Sequence, residues 1–204
     1  MSANDEIARI MNSKVIRTKT ERKFLPQRLL LNAARHQFAE ATRSEAGSTY
    51  NLLATVLLSA LCIEAIGNTY GELLIHDWER DFDNSSPRAK LRLVANQCRL
   101  TPDFGTQPWQ TACLLIKFRN KIAHARPEEL KFQNEQPTGD HRKDFSMRLE
   151  SDVEKLITPE FAKKSLNAVN EILNLLNKPL TDAQLNAVTH DGHRHSAEME
   201  GTRS

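Results

Sequence analysis

Leu52-Leu53-Ala54-Thr55-Val56-Leu57-Leu58-Ser59-Ala60-Leu61-Cys62-Ile63-Glu64-Ala65-Ile66 is the longest apolar stretch of the chain. Its apolar residues do not alternate with polar ones, and it outruns a typical strand. It is too short, and with Thr55, Ser59 and Glu64 too polar, to span a bilayer comfortably. A helix that is apolar on most sides has to be surrounded by other helices, so this stretch predicts the central element of an all-α bundle. Gly47-Ser48 marks the turn before it, with the Ser48 hydroxyl as the expected cap, and the helix is expected over about residues 49–76.

Outward from this centre the periodic signal stays helical, and no Asn-Gly or Asp-Gly hairpin signal lies between alternating apolar residues. A short first helix is expected at about residues 4–12. The next runs from near Phe24 to Arg43 with Leu30, Ala34, Phe38 and Ala41 along one face. Ser86-Pro87 reads as a cap followed by a first helical residue whose missing N–H costs nothing, opening a helix to about Leu100 with Leu91, Val94 and Ala95 inward. Pro108 opens a helix that Pro127 should end near His124. Residues 131–148 read as a long polar loop. Thr158-Pro159 caps a helix to about Lys178 on Phe161, Leu166, Val169, Ile172, Leu173 and Leu176, and Thr181 caps a last short one to Val188. The organisation expected is an N-terminal helix and basic arm at 1–23, one helical domain of four to five helices at 24–189, and a polar, disordered tail at 190–204.

The chain has 204 residues, 28 Lys and Arg against 26 Asp and Glu, and a net charge of +2, which neither demands nor excludes nucleic acid. Between Lys14 and Arg28 lie six basic residues (Lys14, Arg17, Lys19, Arg22, Lys23 and Arg28) and one acid, Glu21. Such a patch suits phosphates through long-range attraction, and it equally suits a solvated arm, the commoner case. Cys62, Cys98 and Cys113 sit far apart in apolar surroundings without metal-ligand spacing, so reduced, buried thiols are expected. With no apolar signal region at the N-terminus, the expectation is a cytoplasmic protein without a membrane segment.

The residues with chemistry lie at the end of the fourth main helix, Lys117-Phe118-Arg119-Asn120-Lys121-Ile122-Ala123-His124-Ala125-Arg126-Pro127-Glu128. On an ideal helix Trp109, Ala112, Cys113, Ile116, Asn120 and Ala123 share one stripe, with Leu114, Leu115, Phe118 and Ile122 behind it. Two apolar faces are two surfaces to bury, one in the bundle and one against a second copy across a twofold axis. Within one helix Arg119 and His124 are separated by about 7.5 Å of rise and point roughly 140° apart, so they converge only if two antiparallel copies meet. A histidine exchanges protons near neutral pH, and an arginine holds a phosphate with a planar fork of donors. Asn120 could orient His124, and Lys117, Lys121 and Arg126 add positive charge suited to RNA phosphates. Spacing alone also fits a charged helix end, with His124 favourable at the C-terminal dipole.

Glu64 is an acid inside an apolar run. It could bond Asn68, support Arg119 and His124 from behind, or pair with any nearby base. Glu72, His76 and Glu79 share a helix flank, but no second carboxylate–histidine pair completes a metal site, and a solvated charged end is the better reading. The tail histidines His190, His193 and His195 receive no role. No metal or other cofactor is expected.

Arg119-Asn120-x3-His124 resembles the Arg-x4-His form of the signature of the HEPN family, the higher eukaryote and prokaryote nucleotide-binding domains. The apolar helix with its embedded acid at Leu58–Ala65, the Ser86-Pro87-Arg88-Ala89-Lys90-Leu91 helix and the lead-in from Phe104 to Trp109 resemble the family more loosely. The resemblance spans about residues 29–176 and implies a four- to five-helix bundle that pairs as a homodimer. It implies a metal-independent RNA endonuclease of a toxin–antitoxin or phage-defence system, with RNA and an antitoxin or regulatory protein as partners. His124 would be the general acid or base at the ribose 2′-hydroxyl or leaving oxygen, Arg119 would hold the scissile phosphate, Asn120 would assist, and the products would carry 2′,3′-cyclic phosphates. Other members are non-catalytic scaffold modules that bind RNA or protein, which keeps that alternative open. One subgroup carries a modified tyrosine two residues after the histidine; here that position is Arg126, so that form of regulation is not implied.

Overall fold

A computed structural model of the chain, which describes residues 16–131 and 149–199, places the apolar run at the centre of the molecule. The elements in chain order are strand β1 (Ile16–Arg22), helices α1 (Pro26–Arg43), α2 (Ser48–Leu74), α3 (Trp78–Phe82), α4 (Pro87–Gln97) and α5 (Trp109–Ala123), a 3-10 turn (Glu154–Leu156), helices α6 (Pro159–Asn177) and α7 (Asp182–Thr189), and strand β2 (His193–Met199). The fold is all-α in class. The expected helix at 4–12 and most of the expected loop at 131–148 lie outside the described residues.

Helix α2 is the hub, packed against α1, α4, α5 and α6. By length and composition alone it could cross a membrane, yet 61% of its most apolar window is buried inside the fold. Val56, Cys62, Ile63 and Ile66 are fully enclosed, together with Leu91 and Val94 of α4, Ala112 and Leu115 of α5, and Val169, Ile172 and Leu176 of α6. This is apolar surface removed from water on every side of one helix, the main term favouring the folded state.

Short-range signals set the helix starts. The Ala89 N–H donates to Ser86 Oγ at 3.3 Å, with Pro87 at the first helical position. The Phe161 N–H donates to Thr158 Oγ1 at 3.2 Å. Thr181 and Gln184 form a reciprocal capping box at the start of α7. The start of α2 departs from expectation: Ser48 is already helical, and Gly47 takes the cap position at φ 76°, with no side-chain hydrogen bond. A left-handed residue is cheapest as glycine, so the backbone turn decides this boundary instead of the hydroxyl. Beyond α2, Trp78–Phe82 forms a separate short helix, set off by Asp77 at φ 56°.

The larger correction concerns the two ends. The basic arm and the tail, expected as a solvated arm and a disordered segment, pair as antiparallel strands, with Ile16 opposite Met199 and Arg22 opposite His193. The ribbon continues through Lys23 N–H to Gly192 O at 3.0 Å. Its residues are mostly polar and carry no period-two hydrophobic signal, so the sequence did not mark it; the pairing is read from its backbone register. Asp191 takes Arg22 at 2.7 Å and Arg28 at 3.6 Å, and Glu21 takes Lys19 at 2.5 Å, so part of the arm's charge is answered within the fold.

A buried polar link ties α1 to α2 and α7. Gln27 Nε2 donates to the Val188 carbonyl at 3.1 Å, Thr69 Oγ1 donates to Gln27 Oε1 at 2.9 Å, and Cys62 Sγ donates to the Gln27 carbonyl at 3.2 Å. Each buried amide atom is partnered, as burial requires. Burial pushes the Cys62 thiol up to about 12, against a smaller opposing pull from the Arg35 charge, and burial also raises the Cys98 thiol. Only thiolates alkylate, so Cys113, the one cysteine that is not fully buried, should react first in the native protein. Peptide mass spectrometry after iodoacetamide treatment checks this; Cys62 labelled as fast as Cys113 would contradict the packing.

Candidate functional site

Helix α5 turns Thr111, Ala112, Leu115 and Phe118 into the core. The two apolar stripes read from the sequence therefore meet at one seam, and both contribute to it. Ile116 and Ile122 pack at the edge of the core, while Cys113 and Leu114 remain half-buried. The polar end of α5 projects beyond this packing, because the chain that follows, Ala125 to Leu130, is exposed.

Arg119 sits on the flank of α5 that faces α2. Its Nη2 lies 3.2 Å from Glu64 Oε2, and its Nη1 donates to Asn120 Oδ1 at 3.1 Å. Both charged side chains keep about a third of their surface, 32% for Arg119 and 29% for Glu64. This pairing is the answer to the acid in the apolar run. Asn68, the alternative partner of Glu64, instead accepts from Lys90 Nζ at 2.8 Å. Glu64 thus grips one corner of the guanidinium and Asn120 another, and part of the donor fork is left over.

His124 is the C-terminal cap of α5 (φ −116°, ψ 25°), with its backbone N–H donating to the Asn120 carbonyl at 3.1 Å. The residue is exposed, and its side chain makes no hydrogen bond or ion pair with any described residue. Asn120 therefore fixes the His124 backbone while its side chain engages Arg119 rather than the imidazole. Nothing within one chain joins Arg119 to His124, in keeping with their angular separation on a helix.

Of the three basic residues expected around them, Lys117 and Arg126 are exposed and unpaired among the described residues. Lys121 is not: its Nζ lies 3.3 Å from Glu128 and 3.7 Å from Asp152. Lys155 first, and Lys121 after it, hold the Asp152 carboxyl below its usual range. Lys121 and Glu128, with Ile122, Ala125, Arg126, Leu130, Ser151, Val153 and Glu154, border an open cleft of about 330 Å³ just past the end of α5. No local signal could have found Asp152, which follows the polar segment and meets Lys121 only through folding.

The other clusters hold no metal geometry. His76 Nδ1 is 2.8 Å from Asp77, and Arg80 bridges Asp77 at 2.9 Å and Asp81 at 2.7 Å. Glu72 and Glu79 line the same shallow depression, and no group of three potential ligands is assembled among the described residues. His190 Nδ1 lies 2.9 Å from Thr189 Oγ1, and His193 and His195 fall in β2.

The chain matches no known family model, no curated protein and no solved structure.

Proposed function

We propose that this protein is a metal-independent RNA endonuclease of HEPN type, working as a homodimer with Arg119 and His124 of two copies facing one cleft. The observation that carries it is the state of the Arg119-Asn120-x3-His124 segment. Arg119 is held in place by Glu64 and Asn120 with donors to spare, while the His124 side chain is exposed and unpartnered at a helix end. A half-buried, positioned cation and a free imidazole, brought together by two copies of the helix end, suit in-line attack of a ribose 2′-hydroxyl on its phosphate. One imidazole takes the 2′-hydroxyl proton as that oxygen bonds to phosphorus. A protonated imidazole gives its proton to the departing 5′-oxygen. The Arg119 fork meets the negative charge gathering on the phosphate oxygens. The products are a 2′,3′-cyclic phosphate and a 5′-hydroxyl. On the same resemblance, the setting is a cytoplasmic toxin–antitoxin or phage-defence system in which a partner protein restrains the enzyme.

One observation favours a second reading, a non-catalytic module that binds RNA or protein. Arg119 already has a carboxylate partner, and a paired arginine can be purely structural. Metal-free incubation with total RNA and with tRNA, run beside His124→Ala, separates the two. Cleavage by the parent alone, leaving cyclic-phosphate ends, is the expected result. Equal cleavage by both proteins would assign the activity to a contaminant. Absence of cleavage by either would favour the module.

A further inference from the structure

Arg88 and Arg92 stand one turn apart on α4, and both place their guanidinium over the same ring, Phe104, at 4.8 Å and 5.3 Å from its centroid. Both are exposed, and neither makes a hydrogen bond or ion pair with any described residue. Two like charges drawn to one aromatic ring repel each other, and the ring attraction, about 0.5–1 kcal/mol each at exposed sites, offsets that repulsion. The ring is itself fixed, edge-on to the buried Trp109 at 6.1 Å between centroids. Two acids on the segments flanking α4 have other partners. Asp103 Oδ1 accepts the Gly105 N–H at 2.8 Å, and Asp83 lies 3.6 Å from Lys90. The first turn of α4 carries no acid, so its positive dipole end adds to the local field.

The helix that carries the pair is braced on the site already described. Lys90, midway between the two arginines, is buried with its Cβ 3.2 Å from where a Cβ on Gly67 would stand. Gly67 is one turn beyond Glu64, the partner of Arg119. With Lys90 turned toward α2, Arg88 and Arg92 point away from it, since residues two apart on a helix lie on nearly opposite sides. Phe104 packs on Trp109 at the start of α5, and Arg119 lies further along that helix by about 15 Å of rise, a span that a few nucleotides of single-stranded RNA can bridge.

We propose that Arg88 and Arg92, preorganised on Phe104, form a phosphate clamp that holds the backbone of the RNA substrate away from the cleavage point. The proposal rests on the ribonuclease reading for the identity of the polymer. Planar forks without protein partners suit phosphate oxygens, and the aromatic platform lowers the cost of fixing them in place.

The test uses full-length protein carrying His124→Ala, so that RNA is bound without being cut. A fluorescein-labelled single-stranded RNA of mixed sequence is titrated by anisotropy across a salt series. Arg88→Gln/Arg92→Gln should weaken binding about tenfold at low salt and flatten the slope of log K against log salt by about 1.4, two phosphate contacts on a single strand. Lys163→Gln/Lys164→Gln removes the same charge from exposed positions on α6 and should change the slope far less. Equal slopes for the two double variants would overturn the clamp, as would an absence of RNA binding. Equal competition by a polyglutamate peptide would overturn phosphate recognition and point to an acidic protein partner. If the parent cleaves RNA and the two double variants bind alike, the clamp fails and the nuclease stands. If the arginine dependence appears without cleavage by the parent, the nuclease fails and the clamp stands.

Discussion

Gly71→Ala should destabilise the protein by about 2 kcal/mol, against the usual gain from alanine in a helix. Alanine is better than glycine inside a helix by about 1 kcal/mol. Here a Cβ would fall 2.2 to 2.4 Å from three ring atoms of Trp78. Overpacking of that kind costs about 1–3 kcal/mol, and more when the neighbour cannot move. Trp78 cannot move freely. It is 4% exposed, and it packs against Phe82 with ring centroids 5.4 Å apart. Thermal unfolding should show a fall in Tm of about 4–8 °C for a chain of this size. Combining Gly71→Ala with Trp78→Leu should cost less than the sum of the two, because the leucine vacates the space the methyl needs. An alanine variant as stable as the parent would mean that Trp78 does not lie on Gly71.

The second large effect is on chemistry. In single-turnover RNA cleavage, His124→Ala should lower the rate by about 100- to 10,000-fold, the usual contribution of a positioned acid or base. Its melting temperature should stay within experimental error of the parent, because an exposed side chain with no partner has little to lose. Arg119→Ala should lower the rate by about 100- to 1,000-fold. Arg119→Lys should recover little of it, since a point charge cannot grip Glu64, Asn120 and a phosphate together. Glu64→Gln should give a smaller loss of about tenfold, on the order of one weakened charge-assisted contact. The Glu64–Arg119 pair is a third exposed on each side, so it contributes less than about 1 kcal/mol to folding. That separates the two roles. If Arg119→Ala unfolds the protein while His124→Ala leaves cleavage intact, the segment is structural and the ribonuclease reading is lost.

The placement of Arg119, Asn120 and His124 at the polar end of a helix was legible because helical spacing and the stop before Pro127 are local properties. The identity of the partner of Glu64 was not. Glu64 had Asn68 within one turn, the Arg119–His124 segment to support, or any other nearby base as open possibilities, and the choice fell to Arg119 because α5 packs against α2 at that level. Lys121 shows the opposite outcome: expected as a free RNA contact, it is drawn between Glu128 and Asp152. The half-buried residues of α5 are likewise a matter of how α2 and α6 share its surface, and a helical wheel cannot apportion that.

The sequence by itself determined the helices and most of their ends. The apolar run at Leu52–Ile66, the Ser86, Thr158 and Thr181 caps and the stop near His124 all act through bonds and contacts within three or four residues, so the information sits beside the structure it specifies. Only the tertiary structure decided what met across the chain: Trp78 on Gly71, Glu64 on Arg119, Arg88 and Arg92 on Phe104, and the arm Ile16–Arg22 on His193–Met199. These partners are chosen by how helices stack around α2 and, for the ribbon, by backbone hydrogen bonds that any residue but proline can make, and neither leaves a periodic mark in the residues involved.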